Sequence, residues 1–429
     1  MKRKTRRLAV AALVIFNFVT VPVVIAQDEA PNYAEYTLTG DWGGLREEWR
    51  RKGVAVDLGY KLDMLRVTGG GLRSGGRPIG HFDLKVAADL DKLLGWDGAS
   101  ALVNFIYDSG GKTNRDYVGS LLGTSNVEVP VTTHRFFQAW IEQTFLDGKL
   151  GVLAGLYPID SEFQTVESAG IFVQPPYGAA PDIALTRGPS LFNNPALGLR
   201  AKWQSKESGL YAMGAVLDGI PGDPANPQGT HIRFQQGDGA MQIAEFGYRP
   251  PTGAGGTSQA EPAERFGKFA VGAWRYTARV NDLVDVDAAG NPVPRRSSGW
   301  YALAEHTLWR WALGNLAGFV RFGATDGDST AIEKFYNVGV RVRGLIPGRE
   351  DDVLGIAHTH AGIGEKFRTS QAANGIAATS AESATEITYR AQVAKWLTVQ
   401  PLIQHYRNPG ADSAVRNATV VGVRVELAL

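Results

Sequence analysis

From Val54 to Leu65 the chain alternates with a period of two, placing Val54, Val56, Leu58, Tyr60, Leu62 and Met64 on one parity and Ala55, Asp57, Gly59, Lys61 and Asp63 on the other. A strand turns successive side chains to opposite faces, so such a segment fits an apolar medium on one side and water on the other. The last residues repeat the pattern, with Val421, Val423, Val425, Leu427 and Leu429 against Gly422, Arg424, Glu426 and Ala428. Each run is about 10 residues, enough to cross a bilayer at a tilt. Fourteen more strands are predicted between them, starting near His81, Ala99, Arg135, Lys149, Ala196, Gly209, Met241, Gly267, Gly299, Asn315, Phe335, Val353, Ala384 and Trp396. The total is sixteen, to within two, with the weakest patterns near Arg135, Gly299 and Val353.

The connections alternate in length as well. Short ones fall at 95–98, 147–148, 205–208, 309–313 and 394–395, and long ones at 110–134, 158–195, 218–240, 279–298 and 361–383. Outer-membrane barrels have this parity, with short periplasmic turns and longer external loops. The Gly/Pro-rich stretch 250–265 is long where a short turn is due, so either a strand is misplaced there or that turn is extended. A soluble sandwich or propeller also alternates, but its inner face is dry. Here Asp57, Lys61, Asp83, Lys85, Arg200, Arg341 and Arg343 recur opposite the apolar parity, which calls for a wet lumen. The expected fold is all-β, a transmembrane antiparallel β-barrel.

The first residues change the charge reading. Lys2, Arg3, Lys4, Arg6 and Arg7 precede an apolar run from Leu8 to Ile25 that closes at Ala26, the form of a secretory signal peptide. Its removal takes 5 of the 44 Lys+Arg and none of the 43 Asp+Glu, leaving a mildly acidic chain of 403 residues. No clustered basic face suggests nucleic acid as a partner. Zero cysteines exclude disulfides, thiolate catalysis and Cys-ligated metal. The 52 glycines and 10% aromatics fit a turn-rich β chain, and nothing divides the mature chain into separate domains. The expected organisation is a signal peptide (1–26), a periplasmic N-terminal segment with a short helix (27–53) and one outer-membrane barrel (54–429).

Residues Leu38-Thr39-Gly40-Asp41-Trp42-Gly43-Gly44-Leu45-Arg46 resemble the opening motif of the carbohydrate-selective porins of the OprB type, as does Val67-Thr68-Gly69-Gly70-Gly71. "GVLAGLYPIDSEF" from Gly151, "LIPGREDD" from Leu345 and "VQPLIQHYRNPG" from Val399 continue the likeness in the family's order. The resemblance implies a sixteen-stranded outer-membrane porin for glucose and related small sugars. Two positions depart from the family pattern: Asp63 stands where a glutamate is expected in the first strand, and the chain ends in Leu429 rather than phenylalanine. The first bears on sugar contact, the second on recognition by the barrel-insertion machinery.

Sugars present paired hydroxyls and apolar ring faces, so their site needs carboxylate acceptors, arginine donors and an aromatic surface. By resemblance to porins the long loop 158–195 would fold inward and narrow the pore, bringing Asp160, Glu162, Phe163 and Phe172. Arg200, Arg321, Arg341 and Arg343 lie opposite apolar residues in their strands and would supply donors from the wall, with Asp63 as a further candidate. Alternatively, each arginine is a lumen residue paired across the ladder, and the two phenylalanines are loop packing. Asp41 is expected to cap a helix over 42–52, with Leu45 and Trp49 on one face and Arg46, Glu47, Arg50 and Arg51 elsewhere.

No Gly-x-Ser-x-Gly, His-Glu-x-x-His or Walker pattern occurs, and Gly69 to Gly76 lacks the Lys-Ser/Thr of a phosphate loop. His358 and His360 would share a strand face, with no third metal ligand evident. The expectation is a passive channel, not an enzyme, with no cofactor or metal, as a monomer or homotrimer. Its partners are small sugars and the lipid and lipopolysaccharide of the outer membrane. A non-selective pore and a plugged structural or adhesive barrel are the alternatives.

Overall fold

The computed structural model describes residues 32–251 and 265–429. The expected signal peptide and the interior of the 250–265 stretch lie outside the described residues. Sixteen strands close into one antiparallel barrel: β1 (Val54–Gly71), β2 (Pro78–Asp89), β3 (Ala99–Gly110), β4 (Thr133–Phe145), β5 (Leu150–Tyr157), β6 (Ala196–Gln204), β7 (Leu210–Asp218), β8 (Ala240–Tyr248), β9 (Gly267–Tyr276), β12 (Ser298–Trp311), β13 (Gly314–Thr325), β14 (Ile332–Arg343), β15 (Val353–Ile363), β16 (Ala381–Ala394), β17 (Leu397–Arg407) and β18 (Arg416–Ala428). Two more strands, β10 (Val280–Val286) and β11 (Pro292–Arg295), form a hairpin apart from the barrel, inside a stretch that reads in sequence as an irregular loop. No strand is misplaced around 250–265, for β8 and β9 pair directly and their connection is simply extended.

The two-residue period becomes two faces through register. Asp57 pairs with Lys85, Gly59 with Asp83 and Lys61 with His81 on the inner face, while Leu58 with Leu84 and Tyr60 with Phe82 turn outward. Large apolar side chains stay exposed all around the outer wall, among them Phe136, Leu199, Phe269, Trp300, Val338 and Ile403. In water that surface would be costly, whereas against lipid it needs no cover, and closure leaves no strand edge with unpaired backbone groups.

The ends of the chain are joined. β1 pairs with β18, and across that seam the Arg424 guanidinium grips the buried Asp63 carboxylate through Nε–Oδ1 at 2.6 Å and Nη2–Oδ2 at 2.7 Å. Lys61 Nζ meets Glu426 Oε1 at 3.1 Å one step along. The short N-terminal helix is α1 (Leu45–Arg51), shorter than expected, because Gly44 takes a left-handed conformation before it. Asp41 Oδ1 still accepts from the Glu47 N–H at 3.1 Å. Leu45 and Trp49 are both exposed, and Arg46 is buried. Arg46 donates to the main-chain oxygens of Leu429 at 2.9 Å and Val56 at 2.8 Å, and lies over the Tyr33 ring at 4.0 Å. The helix thus ties the N-terminal segment to both ends of the barrel.

Candidate functional site

The 158–195 loop lies inside the barrel, and paired polar contacts hold it to the wall. Glu305 on β12 accepts from the N–H groups of Glu167 at 3.2 Å and Ser168 at 2.7 Å, and Glu386 on β16 accepts from Val173 at 2.8 Å and Gln174 at 2.9 Å. Glu245 on β8 takes the Gln164 N–H at 2.9 Å together with the hydroxyls of Tyr211 and Tyr301, both at 2.7 Å. Arg321 on β13 donates to the carbonyls of Gln164 at 2.8 Å, Gly178 at 3.0 Å and Pro176. An irregular loop in a buried place must satisfy its backbone groups, and the wall supplies the partners. Two wall glycines make room, for a Cβ at Gly355 would collide with Ile171 and Phe172, and one at Gly323 with the Asp182 carboxylate.

The residues expected to contact sugar take several places. Glu162 binds Arg200 through Nε at 2.7 Å and Nη2 at 3.2 Å, Lys202 at 3.1 Å and the Tyr157 hydroxyl at 2.7 Å, so one loop acid does meet a basic wall. Asp160 is half-buried and accepts from the Phe192 N–H at 3.2 Å. Phe163 and Phe172 are buried in an apolar cluster shared by the loop and the wall, Phe172 against Tyr177 and the β13 residue Phe319 with ring centroids 4.7 and 5.9 Å away. Arg321 is spent on loop carbonyls. Arg341 is buried with its guanidinium 4.7 Å from the Phe266 ring, and Arg343 pairs with Asp351 at 2.7 Å near the short-turn end. Asp63 is taken up by Arg424 and by the Ser125 hydroxyl at 2.6 Å.

Ser125 belongs to a second inward loop, 111–132, which gave no signal of this in sequence. Glu382 on β16 accepts from the Leu121 N–H at 3.0 Å and the Ser120 hydroxyl, and Gln404 on β17 donates to the Thr124 carbonyl at 2.9 Å. The wall carboxylates Glu245, Glu305, Glu382 and Glu386 were also missed. Their inward parity was visible in the sequence, but the backbone groups they bind lie far away along the chain.

Below the two loops, toward the short-turn end, inward side chains keep contact with the lumen. Among them, Lys85, Lys202 and Glu142 have side chains 27%, 24% and 20% exposed. They belong to strings of alternating sign. Arg390, Glu426 and Lys61 run across β16, β18 and β1; Lys85 meets Asp83 at 3.4 Å; and Glu142, Arg200, Glu162 and Lys202 link β4, the loop and β6. Trp140 stands inward between Leu102 and Gly155 on the neighbouring strands. Side-by-side donors and acceptors suit vicinal hydroxyls, which give and take hydrogen bonds at once.

Three loop carboxyls set opposite pH dependences. Burial pushes Asp160 and Asp182 up to about 6, against the Phe192 N–H in one case and Arg321 in the other. Burial also works to raise Glu162, but Lys202, Arg200 and the Tyr157 hydroxyl outweigh it and hold the group down to about 2. A raised acid loses docking stability as pH climbs from its unfolded value to its folded one, here from about 4 to 6. A depressed acid contributes fully above its unfolded value and loses that contribution as pH falls toward about 2. The docked loop is therefore expected to be most stable near pH 4 to 5. Amide exchange at Val173 and Gln174, corrected for intrinsic rates, should show stronger protection at pH 5 than at pH 7.5, and equal protection would contradict the assignment.

The family model of the carbohydrate-selective porins, OprB family, matches residues 73–429, which is most of the chain. Porin B of Pseudomonas aeruginosa is 25% identical over 422 residues, covering 91% of this chain and 90% of that protein. A putative porin, QuiX, of Acinetobacter baylyi is 21% identical and covers 91% and 92%. The high-pH structure of Pseudomonas putida OprB superimposes with a TM-score of 0.81 at 21% identity, covering 94% of this chain and all of that one, and supports the barrel fold. Barrel, inward loop and family match agree, and the chain belongs to the carbohydrate-selective porins of the OprB family.

Proposed function

We propose that this outer-membrane sugar porin passes small sugars such as glucose by passive diffusion, along the lumen wall left open by the inward loops. The observation that carries this reading is the string of paired, partly exposed charges Lys61, Glu426, Arg390, Lys85, Asp83, Glu142 and Lys202. A sugar moving along it exchanges water for successive donor and acceptor pairs, whereas a non-sugar of equal size lacks the matching hydroxyls. Alternating sign limits the net field, so neutral solutes need not compete with bound ions. Both termini lie on the periplasmic side in this reading, and the long loops face outward, as in barrels of this class.

The test is block of ion current by glucose in a planar bilayer. Saturable block is expected for the native protein, and Lys85→Ala should weaken it by about two- to fivefold, the worth of one exposed charged hydrogen bond. No block by glucose, or block by any solute of equal size, would favour the non-selective pore. Absence of ion current altogether would favour the plugged barrel.

A further inference from the structure

On β14 to β18 and β1 the outer wall changes character near the long-loop end. Val338, Ile356, Ile387, Ile403, Val421 and Met64 form the last apolar row. Beyond it the outward side chains are Tyr336, His358, His360, Ser383, Thr385, His405, Arg407, Thr419 and Arg66. The position of this step can be checked on β1. Val54 to Met64 is ten steps along the strand, about 34 Å, or about 26 Å along the membrane normal at a tilt near 40°. That fills the apolar band of roughly 25 Å that such barrels present to lipid. Arg66 is the next outward residue, so its side chain leaves the hydrocarbon at the level of the headgroups.

We propose that this face is a binding site for the phosphate groups of a phosphorylated lipid of the outer leaflet, the class to which lipid A belongs. Among the described residues, no carboxylate occupies an outward position on β15 to β18, or on β1 from Leu58 to Thr68. Arg66 and Arg407 are exposed and have no hydrogen-bond or ion-pair partner among those residues. Two histidines are oriented rather than loose. His358 Nδ1 bonds Thr385 Oγ1 at 2.8 Å and His405 Nδ1 bonds Thr419 Oγ1 at 3.2 Å, which leaves each Nε2 free on the outer surface. His360 is stacked on the Tyr336 ring with centroids 5.0 Å apart. Arginine forks and imidazole N–H groups are phosphate donors, and the apolar row directly beneath takes acyl chains. A free anion would use the donors but not the row below them, so the face fits a lipid. The site rests on the orientation given above, in which the long loops face outward.

The experiment uses the full barrel purified in mild detergent and native mass spectrometry with three probes: bisphosphorylated lipid A, the same lipid without phosphates, and inorganic phosphate. The native protein should retain bisphosphorylated lipid A roughly thirtyfold better than the dephosphorylated form, the combined effect of two arginines at a membrane surface. The double variant Arg66→Gln, Arg407→Gln should lose that preference while unit conductance, a readout of the intact barrel, stays the same. Equal retention of both lipids, or an unchanged preference in the variant, overturns the site. Displacement by inorganic phosphate at equal concentration would also overturn it, as would a change in the number of chains per particle without a change in lipid retention, which would make the face a contact between copies. Orientation is read separately: because the chain has no cysteine, Asn374→Cys should be labelled on intact cells by an impermeant maleimide. Labelling only after lysis would refute the orientation without touching the binding result.

Discussion

Arg321→Ala is expected to release the 158–195 loop from the barrel wall, raising single-channel conductance and removing discrimination between glucose and other solutes of its size. The guanidinium is buried and donates to three loop carbonyls, at Gln164, Pro176 and Gly178. Its loss strands the Gln164 and Gly178 carbonyls, while Pro176 keeps the Asn337 amide at 3.0 Å. Each stranded group costs about 1–3 kcal/mol, so the docked loop should lose at least about 2 kcal/mol. Arg321→Lys should not restore it, since one ammonium on a flexible stem cannot match the planar fork that reaches the three oxygens. The barrel itself should survive, because β13 keeps both its neighbours. Unaltered conductance and unaltered selectivity would show that the loop is held without Arg321.

The second large effect is expected at the seam. Arg424→Ala leaves the Asp63 carboxylate buried with only the Ser125 hydroxyl and should destabilise the barrel by about 3–5 kcal/mol, as for other broken buried pairs. Because Asp63 and Arg424 sit on the first and last strands, the loss falls on the contact that closes the cylinder. Replacing both, as Asp63→Asn with Arg424→Gln, should recover much of the stability, since no unpaired charge then remains. Denaturant unfolding in detergent, followed by the loss of the compact band on unheated gels, measures this. A single variant as stable as the native protein would mean that the pair contributes nothing to closure. The Asp63 carboxylate serves the seam and the 111–132 loop.

Much of this was legible in the sequence, for a physical reason. A wall between lipid and water must alternate, so all sixteen strands left a pattern, including the faint ones near Arg135, Gly299 and Val353. Loop parity followed from the antiparallel closure. The candidate site was less legible because parity gives a face but not a depth. Arg321, Arg341 and Arg343 share inward parity, yet one clasps the loop, one is buried against Phe266 and one pairs with Asp351 near a short turn. Phe163 and Phe172 show the same limit from the loop side: an aromatic on an inward loop faces sugar or wall according to contacts made elsewhere, and here both pack inward. Glu382 and Glu386, four apart on one strand and so on one face, could have been flagged from spacing alone. What they hold could not, since the N–H groups of Leu121, Val173 and Gln174 lie more than two hundred residues earlier.

The two inward loops and the charged wall below them together make the account: a barrel narrowed by loops whose backbones are satisfied by wall carboxylates and Arg321, leaving a path lined by paired charges. Liposome swelling tests it most directly. Vesicles carrying the native protein should swell faster in glucose than in an uncharged non-sugar of equal size, and Arg321→Ala should bring the two rates together at a higher value. Equal rates for the native protein, or no swelling in either solute, would contradict it.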